Sequence, residues 1–109
     1  MIILVEERIS DEELKKVAED FEGYIKVVVD IEKEILTAGG KRHFDGEQML
    51  MKNGSIQLDL WGGGFDLETS EVDYDSMINI RPNQGNGSRE VLDQKIRSRF
   101  DQIVHKLLR

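Results

Sequence analysis

The chain has 109 residues, 22 of them acidic and 15 basic, for a net charge of -7, and it contains no cysteine. That length holds one compact domain, 1–109, able to bury a core of its own. The charge argues against nucleic acid and anionic membranes as partners, and the missing thiols exclude disulfides, iron–sulfur clusters and cysteine nucleophiles.

The opening Ile2 to Val5 is a short apolar run and predicts a first strand; it stops at Glu6 and Glu7 with no basic segment before it. Neither a signal peptide nor a membrane span is expected, which points to a soluble, cytoplasmic protein. Ser10 with Glu13 has the spacing of a capping box, and Ile9 with Leu14 that of a hydrophobic staple. A helix follows through Leu14, Val17, Ala18 and Phe21 and ends at Gly23. From Tyr24 to Leu36 apolar and charged residues alternate, predicting one long, half-buried strand. A second alternating run spans Arg42 to Met51, and Asn53-Gly54 supplies a hairpin signal into a strand over Ser55 to Trp61. Gly62-Gly63-Gly64 and the acidic stretch after it read as a mobile surface loop. Alternation resumes from Tyr74 to Arg81 and stops at Pro82. A polar loop then leads into a helix between Glu90 and Leu108, with Ser88 as its cap. The order β-α-β-β-β-β-α predicts an α+β domain: a mainly antiparallel sheet of four to five strands, two helices on one face, and the first strand parallel to the second.

Two stretches carry chemistry. In His43-Phe44-Asp45-Gly46-Glu47 a strand places His43, Asp45 and Glu47 on one side. A two-residue turn at Asn53-Gly54 extends the buried face with them, whereas a three-residue turn with a bulge gathers them with Gln57, Asp59 and Trp61 on the wet face. In that second register His43, Asp45, Glu47 and Asp59 are candidate ligands for a divalent metal such as zinc, manganese or ferrous iron. The same pattern also describes a plain solvated strand face. Between Ile80 and Arg89, Gly85 and Gly87 free the backbone to turn its amides inward. Arg81, Asn83, Gln84, Asn86, Ser88 and Arg89 are candidates, with Gln57 and Trp61, for holding a small anionic ligand. An ordinary polar connection is the competing reading. His105 beside Lys106 in the last helical turn reads as structural.

At GGKRHFDGEQMLMKNGSIQLDLWG and INIRPNQGNGSREV the chain resembles a family of small prokaryotic proteins known only as a domain of unknown function. The resemblance runs through nearly the whole chain and implies a cytoplasmic single-domain protein. It implies no activity, cofactor or catalytic residue.

Two functions follow as expectations. One is a polar pocket that binds a divalent metal or a small anionic ligand, with metal-assisted hydrolysis as its chemistry. The other is a non-catalytic interaction or assembly module, a homodimer included, that uses strand edges and the surface of Met49, Met51, Met77 and Trp61.

Overall fold

A computed structural model describes residues 1–109. The strands are β1 (Ile2–Val5), β2 (Tyr24–Asp30), β3 (Ile35–Gly39), β4 (Leu60–Asp66) and β5 (Val72–Asp73). The helices are α1 (Asp11–Val17), α2 (His43–Lys52) and α3 (Gln94–Leu107). The fold is α+β, with one five-stranded sheet in the order β1-β3-β2-β4-β5 and every neighbouring pair antiparallel. The expected parallel pairing of the first two strands is not made. β1 instead lies against β3, with Ile3 opposite Ala38 and Val5 opposite Leu36.

The alternating run from Tyr24 folds back on itself at residues 31–34. Buried Asp30 makes that turn, accepting the backbone N–H groups of Glu32 and Lys33 on one carboxylate oxygen and the Ser55 hydroxyl on the other at 2.6 Å. Glu34 takes a positive φ of 57° there, which closes the hairpin. One period of alternation therefore covers two short strands.

Strand alternation divides the core. Ile25, Val27 and Val29 face the main cluster, where α1 contributes Leu14 and Val17 and α3 contributes Phe100, Ile103, Val104 and Leu107. Val28 faces the other side and packs with Leu50 of α2 and with Leu60. There are thus three helices rather than two, α1 and α3 on one face and α2 on the other. Where α2 crosses the sheet, Gly46 lies so close that a Cβ on it would meet the Thr37 hydroxyl and come 3.0 Å from Val28 Cγ2.

Capping accounts for most helix ends. Ser10 accepts the Glu13 N–H at 3.1 Å, as its spacing predicts. α3 starts later than expected, because Asp93 rather than Ser88 accepts the N–H groups of Lys95 and Ile96. α2 has no side-chain cap at its N-terminus. Its C-terminus is the Asn53-Gly54 pair: Gly54 has φ 97°, its N–H donates to Met51 C=O, and the Ser55 N–H donates to Leu50 C=O. That is a Schellman cap, not a hairpin turn.

β4 contains the triple glycine expected to be a loop, and Gly62, Gly63 and Gly64 are all buried. The strand expected from Tyr74 to Arg81 is reduced to β5, which precedes it, and a 3₁₀ turn at Met77–Asn79.

Candidate functional site

A cavity of about 620 Å³ opens on the α2 face of the sheet, where α2 begins. That volume lies in the range of small-molecule sites. Beneath it runs β4, whose glycines let the cavity walls pack close: a Cβ on Gly62 would stand 2.6 Å from Ser76 Cβ, and one on Gly64 would collide with the Tyr24 hydroxyl. Tyr24 and Lys26 of β2, Asp73 of β5, Ser76 to Ile78 with Arg89 and Glu90, and Arg42 to Phe44 at the start of α2 form its walls.

Within the cavity Tyr24 Oη donates to Asp73 Oδ2 at 2.6 Å, and the other Asp73 oxygen accepts the Asp75 N–H at 3.1 Å. Burial and then the neighbouring carboxylate raise the Tyr24 pKa well above the phenol range, so this hydroxyl stays protonated. The Arg89 guanidinium pairs with Asp75 at 2.9 Å, and Lys26 Nζ donates to Lys41 C=O at 2.8 Å. His43 Nε2 lies 2.6 Å from Gly63 C=O. A carbonyl only accepts, so Nε2 carries the proton and Nδ1 keeps a lone pair while the ring is neutral. Burial lowers the His43 pKa, which makes the neutral ring the form present near pH 7.

The sign of that shift gives a prediction. A histidine whose folded-state pKa is depressed contributes fully to stability above its unfolded value, about 6.5, and loses that contribution as pH falls. Urea midpoints measured from pH 7.5 to 5 should decline, with one proton giving a slope of at most about 1.4 kcal/mol per pH unit. His43→Gln, whose amide can still donate to Gly63, should show a shallower decline; identical slopes would mean that His43 titrates normally.

The expected metal set does not assemble. His43, Asp45 and Glu47 lie on a helix, where successive residues turn by roughly 100°, so His43 and Glu47 share a face and Asp45 points away from both. Asp45 pairs with Arg42 at 2.9 Å. Glu47 is buried, with its nearest partner Gln57 Nε2 at 3.4 Å, and Asp59 stands beside Asp30 and Glu32 in the turn before β4. Nowhere do three or more histidine, aspartate or glutamate side chains come together as a metal site.

The loop from Arg81 to Arg89 is also placed differently. Arg81 is buried against the Trp61 ring, 3.9 Å from its centroid, and donates to Gln57 and Leu60 carbonyls; burial lowers its pKa. Trp61 is itself buried. Asn86 turns inward: its amide nitrogen reaches the carbonyls of Asn79, Ser88 and Glu90, and its oxygen accepts the Leu92 N–H. The Gln84 amide donates to Leu58 C=O, Ser88 Oγ accepts the Glu90 N–H, and Asn83 is exposed. Of the residues expected to hold an anion, only Arg89 lines the cavity. Tyr24, Lys26, Asp73 and Ser76 escape the sequence reading because nothing local joins them. The triple glycine is the one signal that points to them: bare backbone in a strand marks close approach by other groups.

A family described as a protein of unknown function (DUF5674) matches residues 3–107. The chain belongs to that family. No curated protein and no solved structure matches it. No helix is long and apolar enough to cross a membrane.

Proposed function

We infer that the protein binds a small polar molecule carrying an anionic group, a carboxylate or phosphate, in the cavity at the start of α2. The observation that carries this reading is the division of charge around one open cavity. Lys26 and Arg42 stand at the α2 side, where no side chain caps the helix, and Asp73, Glu90 and Asp75, the last paired with Arg89, stand at the β5 side. A helix start without a side-chain cap, and cations beside it, favour the anionic end of a ligand. The carboxylates favour a hydrogen-bond donor or a cationic end, so a zwitterion fits both walls. Phe44, Met77 and Ile78 add apolar surface to the cavity. Metal-assisted hydrolysis lacks support, because the expected ligands are dispersed.

The test is a titration of isotope-labelled protein with inorganic phosphate and, separately, with glycine and β-alanine, following the amides of His43, Phe44 and Ser76. The expected result is a saturable shift at these residues with at least one probe, weakened tenfold or more in Lys26→Ala/Arg42→Ala. If all three probes leave these amides unmoved at tens of millimolar, the cavity is not an anion site.

A further inference from the structure

We propose that β1 pairs antiparallel with β1 of a second copy of this chain, joining the two five-stranded sheets into one across a twofold axis. The alternation of the ladder decides which backbone groups are free. The Ile31 N–H donates to Asp59 C=O, so odd-numbered residues at this end of β2 bond towards β4, and Val28 and Asp30 bond towards β3 at Thr37 and Ile35. Leu36 and Ala38 are left to face β1, where their partners are Val5 and Ile3. Ile2 and Leu4 therefore turn their N–H and C=O groups to the open edge. No turn, loop or cap bond uses them.

Natural sheets protect such edges with short strands, charges, proline or a covering segment. The opposite edge follows that rule: β5 has two residues and ends in Asp73, bonded to Tyr24. β1 does not, since Ile-Ile-Leu-Val carries neither a charge nor proline. It is flanked on one face by a hollow lined with Ile2, Asp45, Gln48, Met49, Lys52 and Asn53.

That hollow favours a second copy over a foreign strand. Along α2 a partly exposed ridge runs from Asp45, whose carboxylate also pairs with Arg42, through Gln48 and Met49 to the exposed Lys52. A twofold axis perpendicular to the sheet keeps both α2 helices on the same face and sets them antiparallel. The half-exposed Asp45 of each copy then lies towards the Lys52 of the other along the groove, with Ile2 and Met49 of both copies between them. The surface is complementary to itself, as an isologous interface requires. The net charge of -7 opposes association only at long range, where physiological salt screens it.

The experiment is sedimentation equilibrium of the full chain from 1 to 200 µM, paired with hydrogen exchange at the Ile2 and Leu4 amides. A dimer is expected whose dissociation on dilution is accompanied by loss of protection at those two amides. Ile2→Lys charges the edge, and Leu4→Pro removes an outward N–H without touching the ladder to β3; both should remain folded by circular dichroism and sediment as monomers. A wild-type chain that is monomeric at 200 µM overturns the proposal and leaves the edge for a different protein. A dimer with unprotected Ile2 and Leu4 amides also overturns it, because the contact then lies elsewhere.

Discussion

Replacing Asn79 by alanine is expected to cost the fold about 3 kcal/mol or more, read as a lowered urea midpoint at constant slope. Asn79 is completely buried, and its side chain takes the place of a strand. β5 ends at Asp73, opposite Gly64, so Gly62 has no strand partner on that side. The Asn79 amide fills the gap: its oxygen accepts the Gly62 N–H at 2.9 Å, and its nitrogen lies 2.9 Å from Gly62 C=O. The same nitrogen is 3.0 Å from Tyr74 C=O and 2.9 Å from Arg89 C=O, so its two hydrogens serve three carbonyls. Alanine leaves these groups buried and unpaired, each worth about 1–3 kcal/mol, although small shifts recover part of the sum. Asn79→Asp separates shape from hydrogen bonding. Its carboxylate faces the same carbonyl oxygens in a dry site, which raises its folded-state pKa above the unfolded value near 3.9. Stability is then greatest below that value and declines as pH rises, so the deficit against wild type should widen from pH 4 to 7. A pH-independent deficit would mean that water enters the site.

Gly63→Ala is the second large effect, about 3 kcal/mol by the same measurement, at the upper end of overpacking costs. β4 is held by β2 on one side and β5 on the other. A Cβ on Gly63 would run into Asp73 C=O and come within 2.7 Å of Phe100 Cζ. The carbonyl belongs to backbone and cannot swing aside, so β5 must move with it. Gly64→Ala meets the Tyr24 hydroxyl and the Asp73 carboxylate, both at the ends of side chains, and should cost less stability while breaking the Tyr24–Asp73 bond. If Gly63→Ala proved as stable as the wild type, β5 would not be packed as described.

What was legible in the sequence was local. Ser10 caps α1 because a cap needs only its own next three residues, and the apolar stripe of α3 needs only its own period. Asn53-Gly54 misled because a positive φ at glycine serves a hairpin turn and a Schellman cap equally well. The residues before it decide between them, and His43, Gly46, Glu47 and Leu50 keep helical spacing under a superficial alternation. The triple glycine misled for the opposite reason. Its meaning depends on Tyr24, Asp73, Ser76 and Phe100, which only the tertiary fold brings to it. His43, expected as a metal ligand, lines the cavity instead, and its neighbours there were not legible, since Lys26 and Asp73 come from β2 and β5.

The position of α3 also sets an order on synthesis. Ile25, Val27, Val29 and Phe65 are covered on their larger face by Phe100, Ile103, Val104 and Leu107, and the Ile9 N–H donates to Leu107 C=O at 2.9 Å. A ribosome that has released β1 to β5 still holds the segment that closes them. For the roughly 1–3 seconds needed to make residues 94–107, at about 5–20 residues per second, the nascent chain presents an apolar sheet face covered only by α1, together with an open strand edge. Exposed apolar surface and an unpaired edge together make that interval the one most open to misassembly.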